Sequence, residues 1–230
     1  MFNKEYGYVS GDSAKEFMNR VYGWMSCALA ITAVVAYWVS SNPVVFKTIV
    51  GSPLYIVLAI AQIGVVLFLS FRLQKMDYST AVVSFLSYAM LSGLTFSVWF
   101  AIFTMESIHM TFAITAGMFL AMALYGYFTK SDLTSLGSYL VMGLFGLMIA
   151  LFVNMWFQSP VASYYISLFG VAIFTLLTAY DVQVLKRIGQ TPTIDLEMKN
   201  KMAIIGALTL YLDFINLFIY LLQLFGKRRD

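Results

Sequence analysis

Two aspartates stand where a carboxylate is least expected. Asp181 falls in "TAYDVQVLKR" and Asp213 in "YLDFINLF", each within a stretch that is otherwise long and apolar. An ionised side chain at the centre of a bilayer costs about 2.5–3.5 kcal/mol on insertion scales, so it needs a partner or a task. Two carboxyl groups within hydrogen-bond reach in a low-dielectric site do not both ionise readily. One proton is shared, and the pair titrates as a unit. Such a pair senses pH near the cellular value. Stripped of its protons, it is a doubly negative oxygen site that suits a hard cation such as Ca²⁺. Two carboxylates supply few of the roughly six to eight oxygens that Ca²⁺ takes, so binding is weak, as a conduction path requires. The blander alternative puts Asp181 at the interface, paired with Lys186 or Arg187. Asp213 has no basic residue within a turn or two of it.

The elements that must carry these residues follow from composition. The chain has 230 residues, 61% hydrophobic and 11% charged. An ordinary globular domain carries about 25% charged residues, so this is the composition of an integral membrane protein. A helix needs about 20 apolar residues to cross a hydrocarbon core of roughly 30 Å. The uncharged runs 21–46, 48–71, 78–105 and 107–129 each meet that length. The run 133–180 is long enough for two spans, with a natural break at "NMWFQSP", and the run 202–226 carries a single charge, Asp213. The expectation is an all-α, polytopic protein: a short cytoplasmic arm at 1–20, one seven-helix transmembrane domain at 21–226 and a short basic tail at 227–230. The N-terminus mixes both charge signs and lacks a cleavable signal pattern. The lone Cys27 lies inside the first span and implies neither a disulfide framework nor a metal site.

Orientation follows from the basic residues, which concentrate in cytoplasmic loops. Lys4, Lys15 and Arg20 precede the first span. Arg72 and Lys75, then Lys130, then Lys186, Arg187, Lys199 and Lys201 fall in the second, fourth and sixth connections, against Lys47 alone on the other side. The N-terminus is therefore expected inside. The tail "GKRRD" conflicts with this, because seven crossings put it outside.

On the last span Gly206, Thr209, Asp213, Asn216, Tyr220 and Gln223 recur at steps of three and four, which places them on one helical face. On the sixth, Thr175, Thr178 and Asp181 are three apart. As antiparallel neighbours the two spans bring the carboxyl groups together, best if the last helix begins before the membrane boundary. Gly143, Gly146 and Ala150 line one side of the fifth span, a spacing that lets helices approach closely. Trp24, Trp38, Trp99 and Trp156 read as interfacial anchors. His109, beside Glu106 in the third connection, reads as a solvated loop residue.

The chain resembles the Bax inhibitor-1 (transmembrane Bax inhibitor motif) family over nearly its whole length. "FMNRVYGWMSCALAITA" is similar to the family's opening. "LSFRLQKMDYSTAVVSFLSYAMLSGLTFS" resembles its second and third spans, and "YFTKSDLTSLGSYLVMGLFGLMIALFVN" the fourth loop and fifth span of bacterial members. "TAYDVQVLKR" and "ALTLYLDFINLFIYLLQLFG" resemble its two signature stretches. The resemblance implies seven helices with a central final helix, and a pH-sensitive Ca²⁺ leak whose sensor falls on Asp181 and Asp213. It also implies a latch at Arg72 in "SFRLQKM", which would pair with ionised Asp181; without the family, Arg72 reads equally well as a snorkelling anchor. Thr178, Thr209, Asn216 and Tyr220 are the supporting polar residues. The chain lacks the long Pro/Gly-rich N-terminal extension of some eukaryotic relatives, and its acidic tail is the single Asp230, so a minimal member of a bacterial inner membrane is expected.

Two other functions compete with the leak. Intramembrane aspartyl proteases carry Tyr-Asp on one span, as at Tyr180–Asp181, but use Gly-x-Gly-Asp on the next, whereas Asp213 follows Leu210, Tyr211 and Leu212. No enzymatic constellation is expected. The stronger rival is a non-conducting regulator or interaction protein in stress response or membrane-protein quality control. No cofactor is expected beyond Ca²⁺ as the transported ion. The expected partners are the lipid bilayer, Ca²⁺ and protons, with other membrane proteins as candidates and nucleic acid excluded.

Overall fold

The computed structural model describes residues 3–72 and 75–229, with side chains from Ser13 onward. Among these residues eight α-helices follow in order: α1 (Asn3–Ser41), α2 (Pro43–Val50), α3 (Leu54–Arg72), α4 (Tyr78–Ile102), α5 (Met105–Phe128), α6 (Thr134–Phe157), α7 (Pro160–Gln190) and α8 (Leu196–Phe225). All except α2 supply a stretch long and apolar enough to span a bilayer, which makes seven candidate spans in an all-α, multi-pass membrane protein.

Local chemistry sets the helix ends. The first expected span ran to residue 46, but α1 stops at Ser41 because Asn42 and Pro43 start a new helix. The Asn42 side chain accepts from the Val45 N–H, and Pro43 occupies the first turn, where no N–H is needed. The second span begins at Leu54 rather than residue 48, since Gly51, Ser52 and Pro53 form the turn that separates α2 from α3. Residues 13–20 belong to the helix α1. The long apolar run breaks where "NMWFQSP" indicated. Gln158 adopts a left-handed φ of 48°, and the Asn154 side chain accepts from the Ser159 N–H. The third connection is only Phe103–Thr104. The hydroxyl of Thr104 caps α5, so His109 is an exposed helical residue and not part of a loop.

Large apolar side chains such as Phe71, Ile60, Met142, Phe152 and Trp156 are exposed. In water such a surface would be sticky; in a bilayer lipid covers it. The spans differ in enclosure. In the most apolar window of α3 6% of residues are buried, whereas in that of α8 67% are, the largest share of the seven. The last helix is thus the most enclosed.

By internal contacts the chain forms two units. One holds the helices up to Phe103 together with Lys186–Tyr211; the other holds Thr104–Leu185 with Leu212–Arg228. In the first, α1 lies against α4 where Gly93 leaves no room for a Cβ beside Val35 and the carbonyl of Thr32. In the second, Leu140, Leu147, Phe174, Leu177, Leu217 and Tyr220 belong to one apolar core. The small residues of α6 meet the expected close approach only in part: a Cβ at Gly143 would lie 3.2 Å from Ile173 of α7. A Cβ at Gly146 would meet nothing within 4 Å, and Gly143, Gly146 and Ala150 line an apolar groove of about 740 Å³ between α6 and α7.

The tail resolves the topological conflict. The N–H of Thr104 donates to the Lys227 carbonyl, the N–H of Lys227 to the Ser107 hydroxyl, and the N–H of Arg229 to the Ile102 carbonyl. The tail is therefore fastened to the α4–α5 connection, an odd-numbered one, which agrees with seven crossings. Trp38, Trp99 and Trp156, near the ends of α1, α4 and α6, fall on that same side of the sequence of crossings.

Close approach yields a paired test on one helix. A Cβ at Gly126 of α5 would collide with the backbone of Ala179 on α7, while one at Gly117 would meet nothing within 4 Å. Gly126→Ala should destabilise by about 1–3 kcal/mol. Gly117→Ala should be neutral or stabilising by up to about 1 kcal/mol, since alanine is the better helix former. Thermal melting of the two purified variants in detergent reads the difference.

Candidate functional site

α7 and α8 each carry one aspartate, and the two meet. The side chains of Asp181 and Asp213 are in hydrogen-bond contact. Asp213 is 4% exposed and Asp181 half-buried. α8 begins at Leu196, ahead of the apolar run that starts at Met202, which is the early start the pairing called for.

A hydrogen bond between two carboxyl groups has one chemical requirement. Ionised carboxylates only accept, so a proton must reside on one of them. The Oδ2 of Asp213 is buried and receives no hydrogen bond from any other described group. A proton shared with Asp181 is the means at hand to satisfy it. Among the described residues no group of three or more His, Cys, Asp or Glu side chains gathers in one place, so a cation at this site would meet two carboxylates and little further charge.

The other polar residues of the two faces are mostly satisfied within their own helices. Thr178, fully buried, donates to the Phe174 carbonyl at 2.8 Å, Thr209 to Ile205 at 3.1 Å, and the Asn216 amide to Leu212 at 2.8 Å. Tyr220 is buried, stacks on Phe174 and covers Gly170, while Gln223 accepts from the Ser167 hydroxyl. Thr175 is the exception, its buried hydroxyl having no partner. Next to Asp213, Phe214 is held edge-on by Phe112 and Phe119 at ring-centre distances of 5.4 and 5.5 Å, which fixes the turn that presents the carboxyl. Arg72 lies exposed in the last turn of α3.

One polar cluster escaped the reading of periodicity. Tyr211 is fully buried. Its hydroxyl bonds to Thr32 of α1 at 2.7 Å and to Ser92 of α4, and Ser92 also bonds Tyr88. Tyr211 precedes Asp213 by two residues, about 200° around the helix, so it projects away from the aspartate. The available signal was a tyrosine at mid-span, whose hydroxyl needs a partner away from water.

The chain matches the protein family described as inhibitor of apoptosis-promoting Bax1 over residues 14–230. An uncharacterized protein of Borreliella burgdorferi is 47% identical over 216 residues, covering 94% of this chain and 93% of that one. The inner membrane protein YbhL of Escherichia coli K12 is 44% identical over 215 residues, 93% and 92% of the two chains. The protein RP147 of Rickettsia prowazekii is 38% identical over 219 residues, 95% and 92%.

Two buried polar residues of α8 should thus respond in opposite ways. Tyr211→Phe strips a satisfied network of its central hydroxyl and should cost about 1–2 kcal/mol. Asp213→Asn supplies an N–H donor to Asp181 without a bound proton and removes one buried acid, so it should leave stability unchanged or raised. Melting temperatures of both variants at neutral pH test the contrast.

Proposed function

The chain belongs to the family described as inhibitors of apoptosis-promoting Bax1, and from that premise we propose that it is a pH-sensitive Ca²⁺ leak governed by Asp181 and Asp213. The observation that carries the reading is the hydrogen-bond contact between two carboxyl groups inside membrane-spanning helices. A pair that holds one proton in hydrocarbon is poised between two charge states, and loss of that proton creates both an attraction for divalent cations and a repulsion within the pair. Arg72 supplies the positive charge that latches ionised Asp181. Protonation removes that attraction, so the leak opens as pH falls and closes as it rises. The resident membrane is the bacterial inner membrane, with the N-terminus cytoplasmic. This agrees with the placement of the basic residues and with the name of the Escherichia coli relative.

The test is Ca²⁺ influx into dye-loaded liposomes containing the purified protein, from mildly acidic to mildly alkaline pH. Wild type should admit more Ca²⁺ at acid pH, and Asp181→Asn, Asp213→Asn and the double variant should lose that dependence. Absence of flux above empty liposomes, with folding confirmed, replaces this reading with that of a non-conducting membrane regulator. Flux with unchanged pH dependence in the double variant keeps the leak and removes the aspartates as its sensor.

A further inference from the structure

Asp181 reaches Asp213 only if its turn of α7 is held at one rotation. Residues 179 and 183 lie two before and two after Asp181, each about 200° around the helix from it, and four apart, so they stack on the opposite side. Both are gripped. At Ala179 the backbone of α7 lies directly against Gly126 of α5, with no space for a Cβ. At Gln183, which is buried, the amide clasps the α5–α6 connection: its Nε2 donates to the Ser131 carbonyl at 2.8 Å and its Oε1 accepts from the Leu133 N–H at 2.9 Å. Between them, the ring of Tyr180 lies against Gly137 of α6. Gln183 belongs to the "TAYDVQ" stretch, yet neither the pair nor the polar faces use it.

We propose that Gln183 is a positioning residue for the aspartate pair: by tying the α5–α6 connection to the back of α7, it sets how Asp181 meets Asp213. The inference rests on the pair being the proton-sensing site. Nearest in sequence to the pair and to the contacts of Gln183, the titratable and charged groups are Tyr211, Asp213 and Tyr220 of α8, Tyr125 and Tyr127 of α5, Lys130 and Asp132 of the connection, Tyr139 of α6, and Tyr180, Lys186 and Arg187 of α7 itself. Asp132 accepts from the backbone N–H and the hydroxyl of Thr134 at the start of α6. The Gln183 amide carries no charge. Its removal therefore acts on the pair through geometry and not through an added or lost charge.

The experiment is infrared titration of the protonated-carboxyl band of the full chain in lipid bilayers, which needs no transport. Gln183→Leu keeps the bulk and removes both hydrogen bonds, and Gln183→Met serves the same end should the leucine variant not fold. Gln62→Leu is the control, for Gln62 is a comparable staple between spans, donating to Thr95 at 2.9 Å and to the Leu91 carbonyl at 3.2 Å. Wild type should show a titrating band that Asp181→Asn abolishes or moves. Gln183→Leu should displace its midpoint by roughly half a pH unit or more, and Gln62→Leu should leave it in place. A folded Gln183 variant with the wild-type midpoint overturns the positioning role and leaves the sensor standing. A wild type without a titrating carboxyl band overturns both.

Discussion

Hydrocarbon neither donates nor accepts hydrogen bonds, and most of what distinguishes one helix from another here follows from that. Most of the buried polar side chains described within the spans are satisfied by the protein itself, Thr175 being an exception. Thr178, Thr209 and Asn216 turn back to carbonyls of their own helices. Gln62, Gln183 and Tyr211 reach other segments and fasten them. Against that background Asp213 stands apart, with a buried carboxyl oxygen for which no fixed donor exists. Its neighbour is a second acid, so the missing donor has to be a proton. A group whose satisfaction depends on something exchangeable is unlike the others, and this is what marks the pair as the functional candidate.

Such a pair is useful only if its geometry is over-determined. Phe214 packed between Phe112 and Phe119 fixes α8 beside Asp213, and the contacts of Gly126, Gly137 and Gln183 fix α7 around Asp181. The glycines here let backbone or ring approach at van der Waals distance, in a medium where packing rather than water exclusion drives helix association. Gly146 shows that the residue type alone does not say so: it lines an open groove, where no neighbouring helix comes within 4 Å of a Cβ placed there.

Much was legible in the chain before its structure. Lack of charge over lengths near 20 residues, a purely local property, located the spans. Their ends were less legible, because they depend on caps and turns such as Asn42–Pro43 and Thr104, which act over three or four residues inside apolar runs. Asp181 and Asp213 were legible as a pair because an acid in an apolar run is conspicuous on energetic grounds alone. Tyr211, Gln183 and Gly126 were not, since a tyrosine, an amide or a glycine in a span is common and its meaning lies in what it touches.

The sequence by itself determined that this chain crosses a membrane seven times, that its last two spans carry the costly acids, and which family it belongs to, because these rest on hydropathy, charge and local motif. Only the tertiary structure decided that the two carboxyl groups share one site, that most polar residues around them are satisfied within their own helices, and that the tail is fastened to the α4–α5 connection. The physical reason is range. Solvation cost is a property of each residue, whereas a hydrogen bond between residues far apart in the chain exists only once helix packing has brought donor and acceptor within about 3 Å.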